Sequence, residues 1–275
     1  TDNDDKKSLI SQGYKNTDLI GKTGLERSFE KNLKGIDGKK VVVVNNIGKR
    51  IGELTANRVE PVQGDKVFTS IDKELQIKTY NILENKLKEI LKANLNGKST
   101  AKNPVTIEKL LASLVQSNNI SAKKVFDSSP NTVSYKIKNY VLSIDNNANI
   151  KSLDARIAVN KIIAEGIRKK DIAPSQILLL MYEQGIITGD DNFVSKLQSG
   201  AISARQVILN KIDENEITPQ MTNIDPSTGS IIVVDVHSGE VITSVSYPSY
   251  DNNKLVNNFD NEYYIDLMLD ATKPL

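Results

Sequence analysis

The sequence predicts an α+β chain, and three observations carry that prediction. Two pairs of β-branched runs, KKVVVV with KRIGEL and SIIVVDV with EVITSVS, each flank a turn rich in Asn, Gly or Ser, which is the chemistry of a β-hairpin. Between the pairs lie long stretches in which Leu and Ile recur at helical spacing. The 275 residues suffice to bury a sizeable core and suit two compact units better than one.

Composition narrows the function classes. Lys and Arg number 36 against 34 Asp and Glu, a net charge of +2, so no basic stripe marks a nucleic-acid binder. With no cysteine there is no disulfide, no thiolate metal site and no cysteine nucleophile. The longest apolar runs, Val41 to Val44 and Ile177 to Met181, fall far short of the ~20 residues a membrane helix needs. The opening TDNDDKKS is polar and lacks the apolar centre of a signal peptide, so a targeting or anchoring segment is expected to have been cut away.

Taken in order, residues 1–20 read as a short helix and a loop. Leu25, Phe29 and Leu33 recur at helical spacing within Gly21 to Gly35, which predicts one helix entered through a turn at Gly24. From Lys39 short strands alternate with turns: KKVVVV, the loop Asn45 to Gly48, KRIGEL, then GDKVFTSID. Asp72 is a good N-cap for a long helix carrying Leu75, Tyr80, Leu83, Leu87, Ile90 and Leu91 on one face and ending near Asn94 to Gly97. Residues 98–218 read as a mainly helical insertion, with helices at Ile107 to Gln116, Leu153 to Arg168, Pro174 to Gln184 and Ala204 to Asn215. Ser175 and Ser203 are its candidate caps, Gly185, Gly189 and Gly200 mark its turns, and Val133 to Ser143 is more β-like. The last hairpin joins Ser230 to Val236 with Glu240 to Ser246 through His237, Ser238 and Gly239. Its near-continuous apolar runs suit strands covered on both faces.

The stretch DPSTGSIIVVDVHSGEVITSVSYPSYDNN, Asp225 to Asn253, resembles the opening of the transpeptidase domain of class B penicillin-binding proteins. Two more stretches resemble the same family: GKTGLE, Gly21 to Glu26, is similar to a motif of its non-catalytic pedestal, or dimerisation, domain, and GDKVFTSIDKELQ to the start of the helix that runs from that pedestal toward the catalytic domain. The resemblance implies three parts: 1–97 as part of the pedestal, 98–218 as the insertion, and 219–275 as the beginning of the transpeptidase domain. It also implies that Tyr263 to Leu275 approach the nucleophile motif SxxK, which would follow Leu275.

The catalytic motifs of that family are present here only as fragments. Lys22, Thr23 and Gly24 spell KTG, but ahead of a helix and ahead of everything else in the chain, where a turn explains them. SxxK occurs at Ser28 with Lys31, Ser70 with Lys73, Ser99 with Lys102 and Ser121 with Lys124, about the number that chance supplies. A nucleophilic serine needs a desolvated lysine within hydrogen-bond reach at a buried helix start, and none of the four follows the diagnostic hairpin. SxN at Ser117 to Asn119 and Ser129 to Asn131 reads as loop. Asp145, Asn147 and Asn149 have the spacing of a calcium loop, but Ile150 stands where glycine is needed and Arg156 where a carboxylate is needed. His237, the single histidine, reads as a turn residue. No residue is assigned a catalytic, cofactor-binding or metal role, and no cofactor is expected.

The expectation is therefore a pedestal and scaffold portion of a penicillin-binding protein, inactive alone. The parent would cross-link peptidoglycan stem peptides by D,D-transpeptidation and be acylated by β-lactams. Stem peptides and β-lactams would be met only through a catalytic domain beyond this chain, other cell-wall synthesis proteins through the pedestal, and the membrane through an N-terminal anchor. That implies the extracytoplasmic face of a bacterial membrane and a part in cell shape. Two other classes stay open: a non-catalytic β-lactam sensor or interaction protein with a borrowed pedestal, and a hydrolase using one of the scattered SxxK serines.

Overall fold

The computed structural model describes residues 3–16, 18–21, 24–97, 104–256 and 259–269. The chain is α+β, with two separate two-stranded antiparallel sheets among helices. Contacts divide it into two compact units, Thr1–Ser70 and Ile71–Leu275.

The first unit opens with helix α1 (Asn3–Ser11), followed by α2 (Gly24–Ser28) and α3 (Glu30–Leu33). The single helix expected across Gly21 to Gly35 is broken, because Phe29 leaves helical geometry at φ −109, ψ 16. Leu25, Phe29 and Leu33 all stay exposed, so no packed face holds the segment in one continuous helix. Glu30 gathers the preceding loop instead: Oε1 accepts from the Tyr14 hydroxyl at 3.2 Å and Oε2 from the Gly21 N–H at 2.8 Å. Lys34 lies over the Tyr14 ring.

Strands β1 (Lys39–Val44) and β2 (Arg50–Val59) form the expected hairpin, pairing Val41 with Leu54 and Val43 with Gly52. Its loop is closed by Asn45, whose Oδ1 accepts from the N–H groups of Ile47 and Lys49, while Gly48 takes a φ of +77. Ile36 and Val62 exchange backbone hydrogen bonds of 2.8 and 2.9 Å beyond the hairpin's base. Gly64 passes so close to the Leu33 carbonyl that a Cβ there would overlap it. No strand forms in 64–72, where GDKVFTSID looked strand-like.

The second unit is built on helix α4 (Lys73–Leu95). Asp72 caps it as expected, with Oδ1 accepting from Leu75 N–H at 2.8 Å, and the cap ends at Asn96 with Gly97 left-handed at φ +67. The buried stripe is Thr79, Leu87, Lys88, Leu91, Asn94 and Leu95, so it is more polar than the expected apolar face, and Leu75 lies outside it.

Seven further helices follow: α5 (Ile107–Gln116), α6 (Ala122–Phe126), α7 (Val133–Ile144), α8 (Leu153–Arg168), α9 (Pro174–Glu183), α10 (Phe193–Gln198) and α11 (Ala204–Asp213). The limits of α5 and α8 are those read from periodicity. α6 and α10, at five and six residues, are too short for a periodic signal. One core joins them, with Leu110, Leu114, Ile163, Ile167, Ile177 and Leu180 fully buried, and it includes Leu91 and Leu95 from α4. Ser203 caps α11 as expected, but the α9 cap is not Ser175. Ala173 holds that place, Pro174 takes the first helical position, and Gln176 Oε1 accepts from Ala173 N–H at 2.8 Å.

The β-like reading of Val133 to Ser143 is overturned, since the segment is helix α7. Thr132 caps it, and Glu183 of α9 accepts from the N–H groups of Val133 at 2.7 Å and Ser134 at 2.9 Å. Ile137 and Val141, four apart, reach the core. A filled N-terminus and one buried face outweigh the strand preference of Val, Tyr and Ile.

After the short 3₁₀ turn Pro219–Met221 come β3 (Gly229–Val234), β4 (Val241–Tyr247), a second 3₁₀ turn at Asn252–Lys254, and α12 (Asn261–Leu269). No helix among the described residues is long and apolar enough to cross a membrane.

Candidate functional site

The β3–β4 hairpin is laid on α4. Ile231 pairs with Val245, Val233 with Thr243 and Gly229 with Tyr247, and this face is turned inward, with Thr243, Val245 and Tyr247 buried. The other face stays open, with Ile232 64% and Val234 46% exposed, which corrects the expectation of strands covered on both sides. Period-2 alternation brings only every second residue to α4.

The turn holds Ser238 and Gly239 as expected. Asp235 organises it: its Oδ1 accepts from His237 and Ser238 N–H groups, each at 2.8 Å, and these donors hold its carboxyl below the usual carboxylate range. His237 is an exposed turn residue.

Polar contacts fix the hairpin to the helix. The N–H of Asp72 donates to the Ile242 carbonyl at 2.8 Å, and Gln76 Oε1 accepts from Ser244 N–H at 3.2 Å and the Thr243 hydroxyl at 3.4 Å. Tyr80 and Tyr247 pack with ring centroids 5.4 Å apart. The Tyr247 hydroxyl accepts from Gln220 N–H at 3.0 Å and donates to Glu84 Oε1 at 3.2 Å, and burial pushes this phenol well above its ordinary range. Glu84 Oε2 lies 3.3 Å from Lys88 Nζ, and Lys88, almost wholly buried, donates to Asn215 Oδ1 just past α11. A continuous polar line thus runs from the hairpin across α4 to the last helix of the helical layer. The sequence carried a signal for it, because Glu84 and Lys88 are four apart on the same side of α4 as Leu87 and Leu91.

Other polar groups close the helical layer. Lys211, buried, contacts Glu214 and lies 3.1 Å from Glu216, and Glu216 also accepts from Thr188 N–H at 2.8 Å and from its hydroxyl. Desolvation would raise the Glu216 carboxyl, but the Thr188 and Lys211 hydrogen bonds outweigh it and hold the group below its usual range. At the end of α5, Asn118 is left-handed at φ 53, and its side chain links Asn160 of α8 to Asp266 of α12.

Two of the scattered SxxK serines, Ser28 and Ser121, have local hydrogen-bond partners. Ser28 donates to the Gly24 carbonyl at 3.1 Å. Ser121 caps α6 by accepting from Lys124 N–H at 3.3 Å, while Lys124 Nζ donates to the Gln184 carbonyl, away from the serine hydroxyl. Ser70 lies in the loop before the Asp72 cap. Ser99 and Lys102, and Lys22 and Thr23 of the KTG triplet, lie outside the described residues. Ser117 to Asn119 closes the α5 terminus, with Asn119 Nδ2 donating to the Met221 carbonyl at 2.7 Å, and Asn131 is left-handed at φ 72. The calcium-like spacing is a pair of side-chain turns: Asp145 Oδ1 accepts from Asn147 N–H at 3.0 Å and Asn149 Oδ1 from Lys151 N–H at 3.1 Å. Among the described residues no three His, Asp or Glu gather into a group that could hold a metal.

No curated protein and no solved structure matches the chain. Residues 1–69 match the penicillin-binding protein dimerisation domain, which supports reading the first unit as a penicillin-binding protein pedestal.

Proposed function

We propose that this chain is the pedestal portion of a class B penicillin-binding protein, together with the opening hairpin of its transpeptidase domain. The observation that carries this reading is the match of residues 1–69 to the dimerisation domain. The hairpin motif from Asp225 to Asn253 supports it, since it folds as paired strands against α4. In this reading the work of the chain is scaffolding. The first unit offers surface to other cell-wall synthesis proteins on the extracytoplasmic side of the membrane, and α4 with the hairpin supplies the base of the catalytic domain. Cross-linking of stem peptides and acylation by β-lactams would belong to a catalytic domain and not to these residues.

Acylation needs a serine, a base within ~3 Å and oxyanion donors held together, the donors alone contributing ~2.7–4 kcal/mol. Ser28 and Ser121 are occupied in local turns and caps. The test is intact-protein mass spectrometry after incubation with penicillin, on the 275 residues and on the chain extended along its gene by the next catalytic segment. The expected result is a stoichiometric adduct on the extended chain only. An adduct on the 275 residues that disappears in Ser28→Ala, Ser70→Ala, Ser99→Ala or Ser121→Ala would overturn the scaffolding reading. An extended chain that never reacts would make the protein a non-catalytic interaction module.

A further inference from the structure

The contact between the helical layer and α12 is a side-chain relay. Asn160, 5% exposed in the middle of α8, donates through Nδ2 to Asn118 Oδ1 at 3.4 Å, and Asn118 Nδ2 donates to Asp266 Oδ1, also at 3.4 Å. The middle of the relay and the helix at its far end are each anchored independently. Asn118 is held by its own backbone, its N–H donating to the Val115 carbonyl at 3.1 Å, with Asn119 N–H donating to Leu114 at 3.0 Å. A left-handed φ of 53 at this position is tolerated best by Asn or Gly, so the residue type serves both the turn and the relay. α12 is fixed at its start, where Asp260 Oδ1 accepts from Tyr263 N–H at 3.0 Å and the Tyr263 hydroxyl accepts from Asp251 N–H at 2.8 Å. Desolvation and the neighbouring Glu262 push the Asp266 carboxyl above its ordinary range, and the Asn118 hydrogen bond and, more weakly, the charge of Arg156 on α8 oppose that shift. Among the described residues, two buried side-chain atoms, Ser117 Oγ and Asn160 Oδ1, have no hydrogen-bond partner.

We propose that residues 104–217 form a platform that fixes α12, with Asn118 and Asn160 as its positioning residues. The consequence for catalysis rests on the reading above, in which the nucleophile motif follows α12. The platform would then set the reach and orientation of that serine from outside the catalytic domain. Asn118 touches no reacting atom, and its effect passes through Asp266.

Two measurements separate the platform from the enzyme reading. The first is hydrogen exchange of the 275-residue chain, read over 259–269. Asn118→Gly removes the relay while keeping the left-handed turn, and Asp266→Ala removes it from the far side without touching the α5–α8 core. Each should raise exchange in α12 by roughly threefold to tenfold, the scale of one ordinary hydrogen bond, as suits a long and exposed contact. Asp266→Asn keeps an acceptor and should restore most of the protection. Unchanged exchange in Asp266→Ala overturns the platform, whatever Asn118→Gly does to the core. The second is the penicillin acylation rate of the extended chain with the same substitutions. A comparable slowing in Asn118→Gly, recovered in Asp266→Asn, supports positioning of the nucleophile. Altered exchange with an unaltered acylation rate overturns the positioning role. An extended chain with no acylation at all defeats the enzyme reading and leaves the exchange result to decide the platform.

Discussion

Leu95 lies at the very end of α4, 2% exposed, inside the core formed by the helices that follow it. Replacing it with alanine removes three carbons from a filled site. At ~0.8 kcal/mol per buried methylene the transfer loss is roughly 2.4 kcal/mol, and the residual cavity brings the expected cost to about 3 kcal/mol within the ~2–5 range of buried Leu→Ala changes. For a unit of this size that corresponds to a fall in Tm of roughly 6–12 °C. Ile82, on the same helix but 65% exposed, is the control, and Ile82→Ala should stay within ~0.5 kcal/mol of the parent. Urea unfolding followed by far-UV circular dichroism reads both, because the second unit contributes most of the helix. A cost below ~1 kcal/mol for Leu95→Ala, or one equal to that of Ile82→Ala, would refute the conclusion that α4 shares its core with the helical layer.

Gly166 faces the Tyr140 ring, whose Cε1 would lie 2.7 Å from an added Cβ. Gly166→Ala should gain ~1 kcal/mol of helix propensity but lose more to the clash, for a net destabilisation of about 1 kcal/mol that Tyr140→Leu relieves, as thermal unfolding of the single and double variants will show. Glu183→Ala strips the first turn of α7 of its acceptor and should cost about 1–3 kcal/mol in urea unfolding, with Glu183→Gln, which keeps one acceptor oxygen, falling between. The Glu216 carboxyl is held below its unfolded value, so its contribution is present above the unfolded pKa and is lost as pH falls through the folded one. Stability measured by urea titration should therefore decline below about pH 4–5, and Glu216→Gln should flatten that decline.

Much of this architecture was legible in the sequence because the signals were local. Asp72 and Ser203 each accept from the third N–H of the helix they begin, and each stands directly ahead of an apolar period. The last hairpin was legible from its β-branched runs and its Ser-Gly turn. What failed was whatever a distant residue decides. Val133 to Ser143 has strand composition, and beside the local Thr132 cap it is Glu183, about 50 positions away, that takes the N–H groups of Val133 and Ser134. The break at Phe29 depends on the absence of a packed face, which periodicity does not report. The hairpin's open side could not be told from its covered side, since Ile and Val occupy both. Among the candidate sites, the relay through Asn118 was passed over. Its residues lie on three elements and have no spacing that sequence inspection could weigh.

The route by which the hairpin reaches α4 constrains how the chain folds. Gln76 and Ser244 are 168 positions apart, and Tyr247 and Glu84 are 163 apart. Closing a loop of that length in an unfolded chain costs about 2–3 kcal/mol more than closing one of ten residues. Once α5 to α11 have condensed onto the end of α4, their core holds Leu95 and Ile217 together, and Thr218 onward leaves beside the helix it must revisit. The hairpin then needs only a short search. Assembly should accordingly proceed outward from the helical layer, with the strands docking last. A variant that weakens the layer, such as Leu95→Ala, should delay burial of Tyr247 in stopped-flow refolding more than its effect on hairpin stability would require.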